Sequence, residues 1–157
     1  MTAHHRPKIL LLGDSLTQTS FEGWGSKLSN IYQRRADVIN RGYSGYNTSF
    51  YLRLPMEPLE NTRLVLIFFG ANDAALAEHG AQHHVPLADY VANLKILVGR
   101  VREQYPLVQD NILFITPPPV QHEQRFVYQK ERYGDKATGI LERTLENTGL
   151  YASACEQ

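Results

Sequence analysis

The chain has 157 residues, 43% of them hydrophobic and 20% charged, the proportions of a soluble globular protein and a size most simply folded as one domain, 1–157. Sixteen basic residues balance sixteen acidic ones, so charge gives no footprint for nucleic acid or an anionic membrane surface. Cys155 is the only cysteine, which excludes an internal disulfide and fits a reducing, cytoplasmic home. At the N-terminus His4, His5, Arg6 and Lys8 precede a short apolar run, Ile9–Leu12. A secretion signal needs about 7–15 apolar residues there, and no stretch approaches the ~20 of a membrane span.

Ile9 to Leu12 is too short for a helix and is followed at once by Gly13-Asp14-Ser15. It reads as a buried parallel strand, with Ser15 at its carboxyl end, where open α/β sheets place ligands. A serine at that position is either a nucleophile or an anion-binding hydroxyl. Within Ser20 to Arg35, the residues Trp24, Leu28, Ile31 and Tyr32 recur at i, i+4, i+7 and i+8, which predicts a helix with one apolar face and Trp24 as its core anchor. Val38 and Ile39 predict a second strand, ended by the glycine-bearing run Asn40 to Gly45.

Leu64 to Phe69 is the most apolar run of the chain, and Gly70-Ala71-Asn72-Asp73 stops it. Such a run suits a strand buried on both faces. Ala77 to Val85 reads as a polar, histidine-rich loop. Pro86 fits the first turn of a helix carrying Leu87, Tyr90, Val91, Leu94, Leu97 and Val101, ended by Tyr105-Pro106. Ile112 to Ile115 predicts a fourth strand before Thr116-Pro117-Pro118-Pro119. Arg125 to Ala137 is charged without a clean period and reads as a loop or surface excursion. Asn147 or Thr148 is a candidate cap for a last helix with Leu150, Tyr151 and Ala154 on one face. The alternation predicts an α/β fold, a three-layer doubly wound parallel sheet.

Three strand ends thus bring Ser15, the Gly42–Asn47 loop and Asn72 to one edge of the sheet. Acyl transfer needs such parts: a hydroxyl to attack a carbonyl carbon, and fixed N–H donors for the oxyanion. Ser15 supplies a hydroxyl and a backbone N–H, Gly45 a backbone N–H open to substrate, and Asn72 an amide. Each has a plainer reading, since Ser15 also suits a helix cap, Asn72 a turn, and either Gly42 or Gly45 a bend.

Gly13-Asp14-Ser15-Leu16 and Gly70-Ala71-Asn72-Asp73, each after an apolar strand with a glycine-bearing loop between, resemble the first blocks of the SGNH (GDSL) hydrolases. The spacing and the Thr-Pro-Pro-Pro are similar to the isoamyl-acetate-hydrolysing esterase group. The resemblance implies a flavodoxin-like SGNH fold and hydrolysis of small carboxylic esters without cofactor or metal. It also implies Ser15 as nucleophile, with Ser15, Gly45 and Asn72 forming the oxyanion hole. The family's Asp-x-x-His is absent, because no aspartate from Asp14 to Asp135 has histidine three residues later. A serine without its base is a poor nucleophile. The expectation is therefore a fold stopping after strand four, with weak or no activity and an open sheet edge prone to self-association.

Rival readings are an acyl-binding pseudoenzyme, or a flavodoxin-like module that binds phosphate or flavin after strand one. His79, His83 and His84 include an i, i+4 pair, but no further ligand completes a metal set, so they read as a solvated loop. His122 follows strand four and is a substitute-base candidate with no aspartate to orient it.

Overall fold

The computed structural model describes residues 6–156, so His4 and His5 lie outside the described residues. In chain order it contains β1 (Lys8–Gly13), α1 (Ser15–Gln18), a 3₁₀ turn (Ser20–Glu22), α2 (Trp24–Tyr32), β2 (Asp37–Gly42) and α3 (Thr48–Tyr51). These are followed by β3 (Thr62–Phe68), α4 (Ala77–Gly80), α5 (Leu87–Gln104), β4 (Ile112–Phe114), α6 (His122–Tyr133), a second 3₁₀ turn (Gly134–Lys136) and α7 (Leu145–Cys155). The strands form one parallel sheet in the order β2-β1-β3-β4, the α/β architecture expected.

Alternation along β1 divides the core. Leu10 and Leu12 join Val65 and Ile67 under Tyr90, Leu94, Leu97 and Val101 of α5 and Tyr151 of α7. Ile9, Leu11 and Leu66 face the other way, against Trp24, Leu28 and Tyr32 of α2. Each fully buried Leu or Ile contributes roughly 1.5–3 kcal/mol, which is why β1 sits in the middle of the sheet. The register then levels the strand ends, since Gly13 pairs with Gly42 on one side and with Phe68 on the other. Whatever follows these three residues must meet at one rim.

Several elements differ from expectation. The helix proper begins at Trp24 after a 3₁₀ turn, and Ile31 is 66% exposed, so the apolar face is Trp24, Leu28 and Tyr32. The Ala77–Val85 loop contains the short α4, and Pro86 is the residue before α5 rather than in its first turn. Thr144, not Asn147 or Thr148, caps α7, accepting a hydrogen bond from the Asn147 N–H at 3.1 Å. Leu150 points outward, and Thr148 and Tyr151 are the buried pair of that helix.

The largest correction is α6, which occupies a stretch read as a loop. Its inward residues are His122, Arg125 and Gln129, spaced i, i+3 and i+7, and all three are polar. His122 Nε2 accepts the Leu145 N–H at 3.0 Å, Arg125 donates to Glu142 at 2.6 Å, and Gln129 donates to the Ile140 carbonyl at 2.9 Å. A helix docked through hydrogen bonds leaves no apolar period to read.

Among the described residues β4 is an edge strand of the sheet, with Leu113 55% and Phe114 37% exposed. Among the described residues no helix is long and apolar enough to cross a membrane.

Candidate active site

The three levelled strand ends open into one cleft of about 410 Å³, lined by Ser15, Gly45 and Asn72 together. Ser15 is the first residue of α1. Asp14 caps that helix, its Oδ1 accepting the Leu16 N–H at 2.8 Å. The Ser15 hydroxyl makes no hydrogen bond among the described residues.

Geometry separates the two glycines that the sequence left open. Gly42 ends β2 against α1, where an added Cβ would stand 2.1 Å from the Gln18 nitrogen; its role is close packing. Gly45 lines the cleft with φ +78°, and an added Cβ would stand 3.7 Å from His83 Nε2. Its loop is tied to α1 by the Ser44 N–H donating to Gln18 Oε1 at 2.6 Å.

Asn72 is buried, and both ends of its amide are engaged. Nδ2 donates to the Tyr46 carbonyl at 2.8 Å, and Oδ1 accepts from Arg143 Nη2 at 2.8 Å. Asp73 lies beneath, its Oδ1 accepting from both the N–H and the hydroxyl of Thr48, which Asn93 also contacts at 3.0 Å. Asp73 Oδ2 is buried and has no partner among the described residues. Burial is the main cause that raises the pKa of both buried carboxyls, and Asp73 also pushes Asp14 upward. Asp14 reaches about 6.

The far wall of the cleft comes from α6 and the segment after it, with Arg125, Tyr128, Arg132, Tyr133, Glu142 and Arg143. Arg143 follows no periodic pattern that would single it out in the sequence. Its contact with Asn72 spans 71 residues of chain. Its nearest sequence signal is negative: an arginine in a stretch without solvent-facing periodicity needs a partner.

The histidines separate clearly. His122 is spent on the Leu145 N–H and does not line the cleft, so it is not placed as a substitute base. His84 Nδ1 contacts the Ala75 carbonyl at 2.7 Å. His79 and His83 do line the cleft. Burial, and then the Arg143 charge, hold the His83 pKa below its usual range. Among the described residues no three His, Cys, Asp or Glu side chains gather to hold a metal.

Residues 11–150 match the GDSL-like Lipase/Acylhydrolase family. The chain belongs to that family. It is 42% identical over 161 residues to a GDSL esterase/lipase of Arabidopsis thaliana, covering 96% of this chain and 65% of that protein. It is 40% identical over 159 residues to the isoamyl acetate-hydrolyzing esterase 1 homolog of Bos taurus, covering 96% of this chain and 61% of that protein. The chain therefore spans a little under two thirds of these relatives' lengths. The fold is that of Axe2, an acetylxylan esterase from Geobacillus stearothermophilus, with TM-score 0.64 at 18% identity, covering 100% of this chain and 73% of that one. Within the GDSL family frame, Gly13-Asp14-Ser15-Leu16 is the turn from β1 into α1.

Proposed function

We propose that this chain carries the esterase site of its family, with Ser15 as nucleophile toward small carboxylic esters. The observation that carries the proposal is the convergence of Ser15, Gly45 and Asn72, from three separate strand ends, on one cleft. Ser15 Oγ attacks the ester carbonyl carbon, and the carbonyl oxygen takes the negative charge. The N–H groups of Ser15 and Gly45 and one N–H of Asn72 Nδ2 receive it. The carbon–oxygen bond to the alcohol then breaks, and the Ser15 proton leaves with the alcohol. Water then attacks the acyl carbon, the carbon–Oγ bond to Ser15 breaks, and one water proton returns to Ser15 as the carboxylic acid leaves.

The proton transfer is the weak step, because the sequence has no Asp-x-x-His. A positioned general base supplies about 10²–10⁴-fold, and what survives without a triad is about 10³–10⁴-fold over water. The expected behaviour of the 157-residue chain is slow, Ser15-dependent release of a chromogenic alcohol from an acetate ester. Ser15→Ala should abolish that release. Unchanged release by Ser15→Ala would refute the nucleophile assignment.

A second reading is favoured by the Ser15 hydroxyl, to which no histidine is bonded among the described residues: a site that binds acyl compounds without cleaving them. Saturable binding of a non-hydrolysable ester analogue, with no alcohol released from the matching ester, supports that reading. A reducing, cytoplasmic setting belongs to the same proposal and is supported by the single cysteine.

A further inference from the structure

We propose that Arg143 is a positioning residue that locks the Asn72 amide with its donor nitrogen available to the cleft. The inference rests on the reading of Asn72 as an oxyanion donor. An asparagine amide is nearly symmetric in shape but opposite in chemistry at its two ends. Flipped by half a turn, Asn72 would aim a carbonyl oxygen where a donor belongs, and would repel the developing oxyanion.

Two contacts settle the orientation. The Tyr46 carbonyl can only accept, and it stands 2.8 Å from Nδ2; the Arg143 guanidinium can only donate, and its Nη2 stands 2.8 Å from Oδ1. A flip would lose both bonds and set like against like at each end. Nδ2 carries two hydrogens; Tyr46 takes one, and among the described residues none takes the second, which serves a ligand in this proposal.

Arg143 is itself held rigidly. Its Nε donates to the Ala71 carbonyl at 2.6 Å and its Nη1 to Glu142 at 3.3 Å, and its side chain is 17% exposed. One planar fork thus reaches the residue before Asn72, the Asn72 oxygen and a carboxylate. Lysine is a point donor and cannot span the three. The cation on Oδ1 also draws electron density from the amide, which makes the Nδ2 hydrogens better donors.

The test uses the 157-residue chain and its Arg143→Lys, Arg143→Ala, Asn72→Ala and doubly substituted Asn72→Ala/Arg143→Ala forms. One oxyanion-hole donor is worth about 10²–10³ in kcat. Arg143→Ala and Arg143→Lys should therefore lower kcat by about 10-fold or more with KM nearly unchanged. The double variant should be no slower than Asn72→Ala alone, because the arginine acts only through that amide. Losses that multiply in the double variant overturn the proposal and leave Arg143 a merely structural residue.

A readout that needs no turnover accompanies this. In proton–nitrogen correlation spectra the Asn72 side-chain amide should give two well-separated, slowly exchanging protons in the unsubstituted chain. In Arg143→Ala they should converge, while backbone signals of the sheet stay in place. Asn72 signals unmoved by Arg143→Ala overturn the inference whether or not the chain hydrolyses esters. Absence of Ser15-dependent turnover, with the Asn72 signals responding as stated, instead counts against the esterase reading and supports the positioning role.

Discussion

Asp14 should make the protein less stable as pH rises through mild acidity, and Asp14→Asn should remove that loss. Its carboxyl is 1% exposed, and burial, the largest cause, raises its pKa from 3.8 to about 6, against the opposing help of the Leu16 N–H. A shift of about two pH units corresponds to about 3 kcal/mol. The folded state binds this proton more tightly than the unfolded one. Below about pH 3.8 both states hold it and nothing is lost. Between there and about pH 6 the unfolded chain ionises first, so folding stability falls with slope set by the proton difference, and above about pH 6 the loss is complete. Asparagine keeps the oxygen that accepts from Leu16 and cannot ionise. Urea unfolding of both proteins across pH 4 to 8 checks this, read as the difference between them so that other titrating groups cancel. The expected result is near equality at pH 4 and an Asp14→Asn advantage of up to about 3 kcal/mol at pH 8. An advantage independent of pH, or a deficit that grows with pH, would show that the Asp14 charge is welcome in the folded protein and refute the reasoning.

Gly42→Ala and Gly45→Ala should behave differently although they lie three residues apart. The first drives a Cβ against the backbone of α1, which cannot swing aside, and should cost about 3 kcal/mol or more in urea unfolding, dragging Ser15 with it. The second has room but a left-handed φ of +78°, so it should cost about 1–2 kcal/mol while moving a cleft-lining N–H; equal losses for the two would contradict the assignment of roles. At the open edge of β4, where Leu113 and Phe114 are exposed, self-association is expected, and Leu113→Lys should reduce it in sedimentation velocity. A wild-type monomer at every concentration tested, indistinguishable from Leu113→Lys, removes that expectation.

The apolar runs were the legible part of this chain. Ile9–Leu12 and Leu64–Phe69 read correctly as central strands because both faces are covered, and burial on both faces writes a continuous run. The rim residues Ser15 and Asn72 were legible for the same reason, since a turn directly after such a strand falls at the sheet's carboxyl edge. Gly45 was separable from Gly42 only in three dimensions, where one meets backbone and the other meets the cleft. α6 escaped because hydrogen bonds rather than apolar contacts dock it, and a polar inward stripe of His122, Arg125 and Gln129 looks like a solvated one. Arg143 escaped because its partners on the Asn72 turn are remote in sequence and one of them is a backbone carbonyl.

These two omissions are one structural fact. The segment after α6, which also docks that helix, grips the turn that holds Asn72. The Leu76 N–H donates to the Glu142 carbonyl at 2.7 Å, Arg143 grips Ala71 and Asn72, and Asn147 Nδ2 donates to the Ala74 carbonyl at 2.7 Å. Glu142 also takes Arg125 of α6, so the far wall of the cleft and the Asn72 turn share a carboxylate. Net hydrogen bonds are worth only about 1 kcal/mol each, but leaving a buried partner unsatisfied costs about 1–3. The turn is therefore held less by its own sequence than by the cost of breaking any one strand of this net. Gly70-Ala71-Asn72-Asp73 alone specifies a bend after a buried strand; Arg143 and its neighbours specify which way the bend's amide faces.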